Sequence, residues 1–385
     1  MSHLTSASQQ YIHVSVLNYP HLSCLLGTVK TVELINQLSV RLSNWGGVRF
    51  LSAGDLLIEV KKSLVSESDL SERIVVECSR NVYCLAGEKC ILILSVQPAQ
   101  LKADEDQLLA LEAEHSWISQ VAPVQYNDIW RGAYKNDMQL GVCFLKQLRD
   151  EQLSLALQPI KHTCDPTLEL YKEALLRNFE CIGDGFSTVT VISALENLGL
   201  VRLLDYHVLK CVIKELKHSV ADRIGCNISA QSATRDCWWG TILEDLSKNP
   251  TLAGRLTIEI TETNTIPCTN EAINFLLSLK QLGVKVAIDD FGSGSSSWSL
   301  VCAVPVDVIK IDKGYLSAAR NSRKSARLLI DFVNTCKYWA AKVVIEGVES
   351  QSDLLYLASI QERLWVQGYF IARPSLAYKI GRVDG

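Results

Sequence analysis

The stretch VKVAIDD (residues 284–290) is an apolar run that stops on two adjacent carboxylates, Asp289 and Asp290, and leads into the Gly/Ser-rich FGSGSSS (291–297). A run of Val and Ile with a charged end reads as a buried strand whose last residues emerge at the edge of a sheet or barrel. Two neighbouring Asp side chains repel, so holding them together is costly unless a cation or a proton lies between them. A single Asp there could simply cap the next helix. The pair asks for more.

Outward from this strand the pattern repeats. Further strand candidates are SLALQPI (154–160), LELYKEALLR (168–177), IGCNIS (224–229), LTIEITE (256–262), VDVIKID (306–312), KVVIEGVE (342–349) and WVQGYF (365–370). Between most of them lie helical patterns such as EAINFLLSLKQLG, which closes at Gly283 in a C-cap position. Eight strands with intervening helices predict an α/β fold of the (β/α)8, TIM-like barrel type. Glu173, Asn227, Glu259, Asp289 with Asp290, Lys310, Glu346 and Gln367 fall towards the C-terminal ends of these strands. In such barrels that rim carries the active site.

Carboxylates converging on one mouth repel unless they bind divalent cations, and all-oxygen ligands favour Mg²⁺ or Mn²⁺ over zinc. Two ions sharing Asp289 or Asp290 would suit attack of water on a phosphodiester. Lys310, beside Asp312 in KID, could orient or deprotonate that water. It could equally form a plain ion pair with Asp312, since side chains two apart on a strand share a face.

The chain before the barrel is a smaller α/β unit. Residues 12–17, 48–60, 72–78 and 89–96 are strand-like, and 28–43 carries apolar positions at helical spacing. Residues 104–119 and 134–152 read as helices, the second leading directly into the barrel. These patterns predict a first domain over residues 1–133, a connecting helix over 134–152 and the barrel over 153–385. The net charge of −4 and the lack of an Arg-rich run imply no binding to nucleic-acid polymers or anionic membranes. Thirteen cysteines with no CxxC pair suit reduced thiols in a cytoplasm, and the N-terminus reads as neither signal peptide nor membrane span.

In order along the barrel, EALLR (173–177), NIS (227–229), EITE (259–262), DDFGSG (289–294), KID (310–312), EGVE (346–349) and QGY (367–369) closely resemble the EAL-domain cyclic di-GMP phosphodiesterases. The resemblance covers about residues 137–378. It implies a barrel with one strand reversed, hydrolysis of cyclic di-GMP to linear pGpG, and Mg²⁺ or Mn²⁺ as cofactor. It also implies that Glu173, Asn227, Glu259, Asp289, Asp290 and Glu346 are metal ligands, with Lys310, Glu173 and Glu346 catalytic. Gln158, Arg177, Gln367 and Asp312 would face the nucleotide, and Glu262 would brace the loop 291–297. Three positions depart from the family pattern: Leu157, Lys172 and Ser295. A non-hydrolytic cyclic di-GMP receptor and a protein-interaction module are the alternative functions.

AGDLL (53–57) and the strand–helix–strand–hairpin order of the first domain resemble the GGDEF domain, over roughly residues 10–130. The acidic fourth residue of that motif is Leu56 here, Glu33 is the only acidic residue before Asp55, and NWGG (44–47) stands where the family's RxxD site belongs. The resemblance therefore implies a degenerate, non-catalytic domain used for regulation or homodimer contacts, with GTP as a candidate ligand. An unrelated α/β domain is the alternative.

Overall fold

The computed structural model describes residues 10–60, 66–85, 87–101, 108–109, 126–177, 187–261, 270–294, 297–360 and 364–380. Of the helix expected over 104–119 only Leu108–Leu109 is among them, and it is a short strand paired with the preceding one, not a helix; Glu262 and Ser295 lie outside the described residues.

The first domain runs β1 (Tyr11–Val16), α1 (Tyr19–Leu26), α2 (Thr28–Leu42), β2 (Gly46–Phe50), β3 (Asp55–Val60), α3 (Glu67–Ser79), the hairpin β4 (Val82–Leu85) and β5 (Glu88–Ile91), β6 (Leu94–Leu101) and β7 (Leu108–Leu109). Its sheet has the order β2-β3-β1-β6-β7, with β1 antiparallel to both β3 and β6. Leaving out the small hairpin, this is the split β-α-β order of ferredoxin-like folds. Residues 72–78 are helical, not the expected strand. Leu70, Ile74, Val75 and Cys78 are buried at helical spacing, and the Ser66 side chain caps the helix by accepting from Asp69 N.

The connecting helix α4 (Asp128–Arg149) starts earlier than expected, because Asn127 caps it by accepting from Trp130 N at 2.9 Å. Its first half is bolted to the first domain. Tyr134 stacks on His21, and Asn18 bridges the Tyr134 hydroxyl to the backbone of Ile91 and Ile93. Its second half buries Phe144, Leu145 and Leu148 in an apolar core that continues into the barrel.

The barrel strands are β8 (Ser154–His162), β9 (Glu169–Arg177), β10 (Ile224–Ile228), β11 (Leu256–Thr261), β12 (Lys285–Phe291), β13 (Val308–Ile311), β14 (Lys342–Ile345) and β15 (Trp365–Val366). Seven run parallel; β8 is antiparallel to both β9 and β15 and closes the ring. The first strand is thus the reversed one, joined to β9 without a helix. A further strand, β16 (Ser375–Lys379), covers the rest of the β8 edge. Helices α5 (Thr188–Leu198) and α6 (Val201–His218) follow β9, and α6 is buried over most of its length between barrel and first domain.

Where α3 meets α6, Arg80 donates to Nε2 of the buried His207 at 2.9–3.2 Å. Burial, then the charge of Arg80, pushes the His207 pKa down to about 3. The unfolded chain, with an ordinary His near 6.5, binds the extra proton between these values. This contact's stability is therefore complete above about pH 6.5 and is lost as pH falls towards 3. The thermal midpoint of the full chain should fall between pH 7.5 and 5, and His207→Gln should flatten that part of the profile. An unchanged profile in the variant would refute the assignment.

Candidate active site

The barrel interior is layered, and the layers follow from the two-residue period of a strand. Ile160, Tyr171, Ala287, Val308 and Val344 form an apolar layer with Trp365 packed against it. On each of these strands the residue two positions nearer the C-terminal mouth is polar: Gln158 on the reversed β8, then Glu173, Asp289, Lys310, Glu346 and Gln367. On the remaining strands Asn227 follows Gly225 and Glu259 follows Thr257 by the same step. Gly225 has no side chain because a Cβ there would lie 2.5 Å from the Tyr171 ring and 2.3 Å from Glu259 Oε1. Eight strands thus deliver one polar side chain each into a single layer.

Lys310 is at its centre and fully buried. Its ammonium lies 2.9 Å from Glu173 Oε2, 2.8 Å from Glu259 Oε2, 2.8 Å from Asp289 Oδ1 and 3.0 Å from Glu346 Oε1. Glu173 also accepts from Asn227 Nδ2 at 2.9 Å and from Gln367 Nε2 at 2.6 Å. Gln367 reaches Gln158 Oε1 at 3.2 Å, and Gln158 in turn donates to Ala372 O. Asp290, next to Asp289, has a left-handed backbone (φ 51°) at a break in the β12–β13 register. That backbone turns its carboxylate out of the strand alternation.

Two overlapping carboxylate groups have oxygens within 4.8 Å of one another: Glu173, Glu259 and Asp289, and Asp289, Asp290 and Glu346. An ammonium has three N–H donors, fewer than the carboxylates around it. Among the described residues, Glu259 Oε1 and Asn227 Oδ1 are buried without a hydrogen-bond partner. Orphaned buried oxygens in an all-oxygen, electron-rich layer fit a hard divalent cation. The acidic clusters can hold metal.

The electrostatics record the crowding. Burial, against the opposing Lys310 and with Glu173 and Asp289 adding to it, pushes Glu259 up to about 8. Burial likewise raises Asp289 and drives Glu346 well above its ordinary range. Burial and then the Asp289 charge raise Asp290 to about 6. Burial would raise Glu173 as well, but Lys310 and the hydrogen bonds from Gln367 and Asn227 outweigh it and hold this carboxyl below its usual value. Burial would lower Lys310, yet Asp289, Glu173, Glu259 and Glu346 drive it well above the ordinary lysine value.

One expectation needs correction. Lys310 does not pair with Asp312. Strand β13 ends at Ile311, so the shared-face rule stops there, and Asp312 instead caps α10 (Lys313–Asn321) by accepting from Gly314 N at 2.8 Å. The four carboxylates hold the Lys310 ammonium protonated in the metal-free fold, a state suited to orienting water and neutralising charge. Arg177 shares the inward parity of Glu173, about 13 Å nearer the mouth at the usual strand rise. It is half-buried, donating to Leu176 O. Of the departures, Leu157 is buried on the other face of β8 from Gln158, and Lys172 points away from the polar layer to pair with Asp222 at 2.7 Å. Asp205, unflagged in the sequence, accepts from Ser229 N at 2.9 Å and Ser232 Oγ at 2.7 Å, just past Asn227. Its only sequence signal is a lone acid within the apolar run of α6.

A closed barrel with one reversed strand and a carboxylate centre at its mouth defines the class: a barrel protein whose acidic clusters can hold cations. The chain belongs to the EAL-domain family, whose model matches residues 144–374. It is 29% identical over 232 residues to cyclic di-GMP phosphodiesterase NbdA of Pseudomonas aeruginosa, covering 59% of this chain and 29% of that protein. It is 31% identical over 186 residues to cyclic di-GMP phosphodiesterase PdeL of Escherichia coli K12, covering 46% of this chain and 51% of that one. The chain therefore spans about half or less of the length of these relatives. Among solved structures, the PaMucR phosphodiesterase in complex with c-di-GMP aligns with a TM-score of 0.54 at 26% identity, over 62% of this chain and 98% of that one. No helix among the described residues is long and apolar enough to cross a membrane.

Proposed function

We propose that the chain hydrolyses cyclic di-GMP to linear pGpG at the barrel mouth, with two divalent cations, Mg²⁺ or Mn²⁺, held by Glu173, Asn227, Glu259, Asp289, Asp290 and Glu346. The observation that carries this reading is the charge of the polar layer. Five carboxylates around one ammonium leave four negative charges uncompensated when all are ionised, the charge of two divalent ions. The names of the relatives support the choice of substrate, and the polar layer at the barrel mouth supports the choice of site.

When bound, such cations neutralise charge on a phosphodiester and lower the pKa of a water. The chain's own residues do the rest. Lys310 holds the carboxylates of four strands together and stays protonated as charge develops on the phosphate. The Gln158–Gln367 amide pair fixes the orientation of Glu173 and faces the nucleotide. Asp290 and Glu346, the carboxylates that keep partial access to solvent, are placed to accept a proton from the incoming water. Arg177, near the mouth, clamps a phosphate. Asp312 supports the same rim, close enough to Asp290 to raise its pKa. The first domain is non-catalytic: the Asp55 carboxylate is already filled by Ser15 and Ser52 hydroxyls at 2.6 Å and by His13 at 3.2 Å.

Purified full-length protein should convert cyclic di-GMP to pGpG in Mn²⁺ or Mg²⁺, lose the activity to a chelator and regain it on adding the metal back. Tight binding with no pGpG formed over hours would make the protein a receptor. Arg177→Ala should weaken substrate binding, on the order of 1–3 kcal/mol read mostly in KM. A fall in kcat at unchanged KM would put Arg177 in a different role.

A further inference from the structure

Glu72 on α3 is a first-domain residue with its carboxylate buried inside the barrel's surface, only 2% exposed. It accepts from three barrel donors: Tyr206 Oη at 2.9 Å, Thr241 Oγ1 at 2.5 Å and Thr241 N at 2.7 Å. Thr241 lies in the first turn of α7 (Gly240–Lys248), a helix whose own N-cap residue, Trp239, makes no capping hydrogen bond. Glu72 therefore caps a barrel helix from another domain, satisfying an orphan N–H and meeting the positive end of the helix dipole. A Cβ on Gly240 would come within 2.9 Å of Glu72 Oε2, so glycine is what allows this approach.

Both arms of the contact lead to one place. Tyr206 is preceded by Asp205, whose carboxylate leaves the same helix towards Ser229 N and Ser232 Oγ. On the other arm, Trp239 at the capped helix start donates its Nε1 to Ser232 O at 2.8 Å. Residues 229–232 are the turn that begins two residues after Asn227, whose amide holds Glu173 and whose Oδ1 has no hydrogen-bond partner among the described residues. We propose that Glu72 is a positioning residue: through Tyr206–Asp205 and through Thr241–Trp239, the first domain fixes the turn that sets Asn227 in the polar layer. The first domain thereby completes the cation site rather than merely sitting beside it.

The inference rests on reading Asn227 as a cation ligand, so the test reads cation uptake directly in the full chain. Free Mn²⁺ is titrated by electron paramagnetic resonance, with the thermal midpoint measured alongside. Glu72→Gln keeps the shape and loses the charged acceptor; Mn²⁺ affinity should fall by about three- to tenfold. Asp205→Asn should give a similar loss, and the double variant should fall short of the product of the two. Arg80→Ala loosens the same domain contact at His207, one residue along α6 from Tyr206, while keeping every hydrogen bond named in the two arms, and should lower the midpoint without changing Mn²⁺ affinity. If Glu72→Gln does not fold, Tyr206→Phe removes only the hydroxyl that donates to Glu72 and should show a smaller loss in the same direction. Wild-type uptake that is unchanged in Glu72→Gln or Tyr206→Phe overturns the inference alone. Affinity that merely tracks the midpoint in all variants, Arg80→Ala included, overturns it as well. A wild-type chain that takes up no Mn²⁺ removes the reading of the site itself.

Discussion

Lys310→Met should sharply reduce turnover and also destabilise the metal-free protein, with Mn²⁺ restoring more stability to the variant than to wild type. The double effect follows from where the ammonium lies. It is fully buried and within 3.0 Å of carboxylates from four different strands. Methionine keeps much of the side-chain volume, so the change is one of charge. Removing one partner of a buried ion pair costs about 3–5 kcal/mol, because the other charge is left uncompensated. Turnover should fall by about a hundred- to a thousandfold, the scale of losing a principal electrostatic group at the reacting centre. Divalent cations would replace the missing positive charge among the carboxylates, hence the larger gain in thermal midpoint for the variant. A lysine that only activates water would give the loss of turnover with no loss of metal-free stability. That outcome would place the Lys310 ammonium away from the carboxylates in the working protein.

The barrel was legible because its period is simple. A two-residue step from an apolar to a polar residue, at 171/173, 287/289, 308/310, 344/346 and 365/367, marks a strand whose inner face changes from packing to chemistry. What a linear pattern cannot carry is which polar groups meet. The partners of Lys310 come from four strands, so its neighbour in sequence, Asp312, was the natural but wrong choice. Strand ends were also hard to place. KVVIEGVE stops being a strand at Ile345, and Gly347, in a left-handed conformation (φ 73°), turns the chain just after Glu346. Residues 72–78 misled because Ile74, Val75 and Val76 are β-branched, while the Ser66 cap and the wider spacing of buried residues decide for helix. Glu72 carries no local signal, and Asp205 only that of a lone acid in an apolar run. Their meaning exists only after two domains have packed.

Asp290→Asn should separate stability from function in the opposite direction, leaving the metal-free protein more stable while costing about a hundredfold or more in turnover. Asp290 has a left-handed backbone at φ 51°, which costs roughly 1–2 kcal/mol for most residues but is tolerated by Asn and Asp. The substitution therefore leaves the backbone undisturbed and removes only the charge. Burial, then the neighbouring Asp289, raises the Asp290 carboxyl to about 6 in the fold, above its ordinary value. A folded pKa above the unfolded one means that the ionised form is the disfavoured one. The stability it contributes is present below about pH 4 and is lost as pH rises through 6. The gain in thermal midpoint from Asp290→Asn should accordingly be small at pH 4.5 and larger at pH 7.5, both without divalent ions. Adding Mn²⁺ should reverse the ranking, because wild type offers a second carboxylate beside Asp289 and the variant offers an amide. Asp290 has then been kept at a cost to the empty fold because the loaded site needs it. A variant that is less stable than wild type at pH 7.5 without metal would show instead that the Asp290 carboxylate has a structural partner and that its strained position serves the fold.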